Sequence, residues 1–226
     1  MSSLPVKPEL GPTLPELVAP WWRRASRPVR AAIVAAAALV ALLLVAGLVS
    51  VVRGGDVHEV VEQPIAFNLR HAEALPRVEP ERGDLLRLEQ LRDGRLFLQS
   101  FAVAPLLLPP YEGAPSGVFP AQAEELKARL ARRFADFELV EEGRMRINEQ
   151  PGYEVVFRAR NAEGRRLYGR FVMLVPFTDP PEPQRRGVTL ELLGTPAAGI
   201  PNAEAIGDAG GLKLPLRSFR FGTEAP

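Results

Sequence analysis

The chain has 226 residues, 46% of them hydrophobic and 24% charged, a balance that supports an ordinary globular core. Lys and Arg number 28 against 27 Asp and Glu, for a formal charge of +1, which speaks against a nucleic-acid partner or any strongly polybasic or polyacidic role. There is no cysteine. That excludes disulfides, cysteine nucleophiles, Cys-ligated zinc or iron–sulfur and a diacylglyceryl-Cys anchor. Two histidines leave little material for His-centred catalysis or metal binding.

Residues 1–30 form a Pro-rich tail. Pro5, Pro8, Pro12, Pro15 and Pro20 fix φ and remove backbone donors, which disfavours helix and favours an extended, disordered leader. Pro5-Val6-Lys7-Pro8 and Pro12-Thr13-Leu14-Pro15 match P-x-x-P, a short pattern open to a docking role. Residues 31–52 follow without charge or proline and with one polar side chain, Ser50. As a helix this run reaches about 33 Å, enough for the hydrocarbon core. It is too long for the apolar region of a signal peptide, and Leu48-Val49-Ser50 lacks an A-x-A cleavage pattern. A retained single transmembrane helix is therefore expected. Arg23, Arg24, Arg27 and Arg30 precede the span, whereas Arg53, Asp56, Glu59 and Glu62 follow it. The positive-inside rule places the tail in the cytoplasm and the rest outside it, with Trp21 and Trp22 at the headgroup level beside those arginines. The bilayer is then the first partner.

Residues 53–64 begin with Gly54-Gly55, carry several charges and read as a tether. Residues 65–222 read as one extracytoplasmic α/β domain. Ile65, Phe67 and Leu69 alternate as a first strand. Segments 85–91 and 96–103 flank Asp93-Gly94, a two-residue hairpin signal, and their alternation sets Leu86 and Leu88 on one face with Phe97, Phe101 and Val103. A Pro-rich crossing leads to Pro120, which suits the first turn of a helix. Ala123, Leu126, Leu130, Ala131 and Phe134 recur at helical spacing as its buried stripe. Two short strands are expected around Gly143, at 137–140 and 145–147. The clearest hairpin follows, 153–160 with 165–175, closed by Asn161-Ala162-Glu163-Gly164. Tyr153, Val155, Phe157, Leu167, Phe171 and Met173 share one of its faces; Glu154, Arg158, Arg160, Arg166, Tyr168 and Arg170 share the other. After the Pro-rich segment 179–183 a strand is expected at 188–193. Asn202 is placed to cap a short helix through Ile206, and residues 212–221 close the domain. Adjacent hairpins imply an α+β fold: a mostly antiparallel sheet with one long and one short helix packed on it.

This element order, with Pro151-Gly152-Tyr153 opening the second hairpin and the terminal Ser218-Phe219-Arg220-Phe221, resembles the PsbP-like α/β sandwich over residues 64–222. The resemblance implies an extrinsic, non-enzymatic binding or assembly module and no particular ligand or cofactor. The transmembrane segment departs from the soluble photosynthetic members.

Chemical motifs are sparse. Ser116 in Gly-Ala-Pro-Ser-Gly is not a nucleophile elbow. His58-Glu59-Val60-Val61-Glu62 lacks the second histidine of a zincin helix, and Gly207-Asp208-Ala209-Gly210-Gly211 lacks the Lys-Ser/Thr of a phosphate loop. Glu138, Glu141 and Glu142 cluster beside a turn, and carboxylate pairs brought together from distant positions leave an exported hydrolase as one alternative. A signalling protein docking through its Pro-rich tail is another. The most informative surface is the arginine face Arg158, Arg160, Arg166 and Arg170 with Tyr168, since guanidinium forks suit carboxylate and phosphate. An anionic ligand or envelope protein would be the partner there. Arg outnumbers Lys 25 to 3, so arginine clusters also arise by composition alone. The leading reading is a membrane-anchored, non-catalytic binding or assembly domain displayed outside the cytoplasm, needing no cofactor.

Overall fold

A computed structural model describes residues 26, 29, 38–40, 55–81, 83–176 and 185–224. The chain divides into two units, Met1–Arg53 and Gly54–Pro226. In the first, Val29 and residues 38–40 are helical. The rest of the expected membrane span, and Trp21, Trp22, Arg23, Arg24, Arg27 and Arg30, lie outside the described residues, as does the Pro-rich segment 179–183. Among the described residues no helix is long and apolar enough to cross a membrane.

The second unit is built on two antiparallel sheets. The smaller has the order β1-β2-β9, from Asp56–Val61, Phe67–Ala72 and Arg220–Phe221. The larger has the order β3-β4-β8-β7-β6-β5. Its strands are Leu86–Arg92, Leu96–Leu107, Arg186–Gly194, Arg166–Leu174, Gln150–Arg160 and Ala135–Ile147. Helix α1 (Phe119–Arg133) covers one face of the large sheet, and its Phe119, Ala123, Leu126 and Leu130 are buried with Val155, Phe157 and Phe171. The small sheet and α2 (Lys213–Ser218) cover the other, where Phe67, Leu69, Leu216 and Phe219 meet Phe101, Val172 and Leu190. Each large apolar side chain removed from water contributes about 1.5–3 kcal/mol, and a sheet buried on both faces is the main source of stability.

Several expectations hold and several are corrected. Asp93 and Gly94 both take positive φ, 53° and 67°, and Arg95 N donates to Arg92 O at 3.1 Å. This is the tight turn that Asp-Gly encodes. The second hairpin closes as expected, with Arg160 opposite Arg166 and Gly164 N donating to Asn161 O at 2.9 Å.

The tether is not free chain throughout: residues 56–61 pair with β2 as β1. Its exposed and half-buried pattern gives no clean alternation, because one flank and much of one face stay in solvent. Phe97 moves to the α1 side because a bulge shifts the register between Gln90 and Leu91, reversing the phase of alternation. Ala131 is exposed rather than buried. The two short strands about Gly143 are one continuous β5 with two bulges. The expected helix at 202–206 is a turn in which Asn202 Oδ1 accepts from Ala205 N at 2.9 Å. The short helix lies instead at α2, where Leu212, Leu216 and Phe219 make the buried stripe.

The turn between β5 and β6 also ties the two layers. Asn148, at φ 43°, donates from Nδ2 to Arg217 O and Phe219 O, both at 2.8 Å. Asn148→Gly keeps the backbone angle and loses both bonds. It is expected to cost about 1–2 kcal/mol at this exposed site, read as a lower urea midpoint with an unchanged slope.

Candidate functional site

The arginine face of the second hairpin is where polar groups converge. Strand pairing places Glu138 opposite Arg158 and Arg158 opposite Tyr168, so β5, β6 and β7 each contribute one residue to a transverse row. Residues 202–204 rise beside that row. Between them lies an open groove of about 590 Å³. It is lined by Glu138, Leu139 and Val140 of β5, Arg158 of β6, Arg166 and Tyr168 of β7, and Asn202, Ala203 and Glu204.

The four arginines have different fates. Arg158 donates from Nε to Glu138 Oε2 at 2.7 Å and from Nη2 to Oε1, a two-pronged pair. The Arg158 hydrogen bonds hold the Glu138 carboxyl below the ordinary range, and the guanidinium is raised in return. Arg160 donates to Asp136 Oδ2 at 2.9 Å and to Gly164 O at 2.7 Å, outside the groove lining. Arg166 is exposed, lines the groove and makes no side-chain hydrogen bond or ion pair among the described residues.

Arg170 is only 8% exposed. It donates from Nη2 to Glu204 O at 3.0 Å, and its Nη1 lies 3.5 Å from Asp208 Oδ2. Its Nε is 3.4 Å from Glu154 Oε2. It is thus an anchor beneath the 204–208 loop rather than a displayed cation. Burial pushes the Glu154 carboxyl up, Arg170 opposes this, and Glu141 and Asp208 add to it. Asp208 is held down first by its hydrogen bond to Arg217 and then, after an opposing effect of burial, by Arg170. Tyr168 is 6% exposed, with its hydroxyl 3.4 Å from Pro201 O.

Of the predicted arginine face, Arg158, Arg166 and Tyr168 meet in the groove. Sequence alternation finds these three. It misses Asn202, Ala203 and Glu204, whose approach depends on a contact across more than 30 residues of chain, and it misses that Glu138 faces Arg158. The two histidines are elsewhere: His58 is exposed on β1, and His71 is buried on β2 with Nδ1 3.0 Å from Ala72 O and Nε2 3.6 Å from Glu59 Oε1. Among the described residues no group of three His, Asp or Glu side chains is placed to hold a metal ion.

No protein-family model matches the chain, and no curated protein does. Its structure is similar to cyanobacterial PsbP. The Synechocystis protein (CyanoP) shares 8% identity over 74% of this chain and 93% of its own, with a TM-score of 0.49. The Saccharomyces cerevisiae Ran-binding protein Mog1p shares 10% over 74% of this chain and 95% of its own, TM-score 0.43. A Pseudomonas aeruginosa protein of unknown function, described as a putative regulator, shares 16% over 64% and 85%, TM-score 0.36. The PsbP-like resemblance read from the sequence thus reappears among the structural neighbours. At these identities the likeness concerns the fold, and no residue role passes from those proteins to this chain.

Proposed function

We propose that this chain is a single-pass membrane protein, N-terminus in the cytoplasm, that displays a non-catalytic binding domain outside it, and that the groove beside β5–β7 receives a carboxylate or phosphate group of an envelope partner. The observation that carries the binding reading is Arg166: an exposed guanidinium without a partner among the described residues, in a groove whose other arginine is already neutralised by Glu138. A planar fork of donors left free beside a tyrosine and an asparagine matches the geometry of a two-oxygen anion. The groove is not arranged for proton transfer. Its Glu138 is kept ionised by Arg158, whereas a general acid needs a carboxyl pushed upward, and the raised Glu154 is occupied with Arg170. The membrane part of the reading rests on the uncharged run 31–52 and on the arginines that precede it.

Full-length protein with Arg166→Glu, held in neutral detergent micelles and titrated with inorganic phosphate and, in a second arm, with succinate, is expected to lose about tenfold in affinity, in keeping with the loss of one charge-assisted contact. Wild-type binding should weaken with salt. Binding that is unchanged by the substitution and indifferent to salt sinks the anion reading. Protease added to intact cells is expected to remove residues beyond 53; a fragment protected until lysis reverses the topology.

A further inference from the structure

The long flank of the six-stranded sheet stands open. β5 pairs with β6 on one side, and among the described residues no strand lies on its other side. An open edge presents a row of backbone donors and acceptors ready to template another strand. The remaining flanks are treated differently. β3 is covered by residues 76–78: Val78 N donates to Arg87 O at 3.0 Å and Glu89 N to Pro76 O at 2.9 Å. β1 has only six residues. β5 has thirteen, and its charges are ordered in a way that selects one partner.

Two bulges, at 135–138 and 139–141, leave residues 141–147 as the regular stretch. Glu141 and Glu142 precede Gly143; Arg144 and Arg146 follow it. Arg144 and Arg146 make no ion pair or side-chain hydrogen bond among the described residues, and both are exposed; Glu142 is engaged through one oxygen by Lys127 of its own α1, Nζ to Oε2 at 2.6 Å, which leaves Oε1 for a second cation. Glu142 and Arg144 lie opposite Val155 and Tyr153, so both side chains belong to one face. A second copy laid antiparallel along this edge reads the same pattern backwards. With the two-fold axis at Gly143, Glu142 of each copy stands directly opposite Arg144 of the other, with Arg146 and, less favourably, Glu142 of the other on the two diagonals, where the separation is greater. Moving the axis one residue either way sets Arg144 against its own copy or Glu142 against its own copy, and like charges directly opposite are unfavourable. An axis midway between residues mismatches the pleat. The charges that would repel an arbitrary strand therefore admit this chain in one register.

We propose that the free edge of β5 is a self-recognition surface, where two copies pair antiparallel about Gly143 and join their six-stranded sheets. The contact is isologous, as a two-fold dimer requires.

The chain's lack of cysteine makes the test direct. A side chain at Gly143 meets open space. Residues directly opposite in an antiparallel pair have Cα atoms about 4.5–5.5 Å apart, inside the window of roughly 4.4–6.8 Å that a disulfide spans. Full-length protein with Gly143→Cys, oxidised mildly and run on a non-reducing gel, is expected to give about tenfold more linked dimer than protein with Arg132→Cys on the exposed side of α1. Adding Arg144→Glu to Gly143→Cys should bring the yield down to that of the Arg132 control. Adding Glu142→Arg with Lys127→Gln, so that the new arginine does not face the lysine that Glu142 engages, should restore it, which shows that the middle variant was folded. Equal yields from the two cysteine positions overturn the proposal. So does a Gly143→Cys yield indifferent to Arg144→Glu, or one that the double charge exchange fails to restore.

Discussion

Arg170→Met is expected to lower stability by about 3–5 kcal/mol, the usual cost of removing one partner of a buried ion pair. For a unit of this size that corresponds to a fall in Tm on the order of 10 °C. The reason is what stays behind. Glu154 is half-buried beneath the 204–208 loop, and Arg170 is the one group that draws its proton affinity down. Without Arg170, burial, Glu141 and Asp208 all act upward. The folded state then holds the Glu154 proton more tightly than the unfolded chain does. A carboxyl raised in this way destabilises the fold as pH climbs through its folded-state pKa, because the unfolded chain gives up the proton more readily. The deficit relative to wild type should therefore be larger at pH 8 than at pH 4. Asp208 runs in the opposite sense: held low first by Arg217 and then by Arg170, it supports the fold above its unfolded pKa and loses that support as pH falls; the variant keeps only the Arg217 part, which adds to the deficit at high pH. Combining Arg170→Met with Glu154→Gln removes the stranded charge and should recover part of the loss. Urea unfolding at the two pH values reads both effects. A deficit that is flat with pH, together with no recovery in the double variant, would mean that the loop is anchored by the backbone bond to Glu204 rather than by charge.

The same residue marks the border of what the sequence could reveal. Alternation in the second hairpin put Arg158, Arg166, Tyr168 and Arg170 on one face, and strand pairing keeps them there. Period-two reasoning has no access to what covers a face. Residues 200–219 fold back over the inner part of the row and bury Tyr168 and Arg170, while the hairpin end carrying Arg158 and Arg166 projects into the groove. Tight turns were legible because Asp93-Gly94 and the 161–164 loop encode their own backbone geometry. The α1 stripe was legible because four buried side chains repeat at helical spacing. Bulges were not. One extra residue near Leu98 turns Phe97 to the opposite core, and the bulge at 139–141 lets β5 run straight past a cluster of acids that looks like a break. The short helix was misplaced because Asn202 signals a cap but no amphipathic run follows it. The run is further on, with Pro215 inside its first turn, where a missing donor costs nothing.

Phe157→Ala is expected to be the most destabilising single truncation in the α1-side core, at about 3–5 kcal/mol. The ring is fully buried, with centroids of Phe134, Phe137 and Phe171 at 5.6, 5.3 and 6.2 Å. It also lies over Gly169, its cross-strand partner in β7. A methyl group added at Gly169 would come within 2.0 Å of the ring's Cζ, so the aromatic fills the volume that the glycine leaves, a pairing that recurs in sheets. Gly169→Ala alone should therefore cost about 1–3 kcal/mol through overpacking, although alanine is otherwise the better strand residue. The two substitutions should not add. With Phe157 truncated the clash is gone and the added methyl occupies part of the cavity, so Gly169→Ala becomes neutral or stabilising in that background. The double-mutant cycle should yield an interaction of at least about 1 kcal/mol, in the range seen for residues in contact. Simple additivity would mean that the Phe157 ring can swing off Gly169 without loss. The tight four-ring cluster would then not hold it, and the register of β6 on β7 would be set by the 161–164 turn alone.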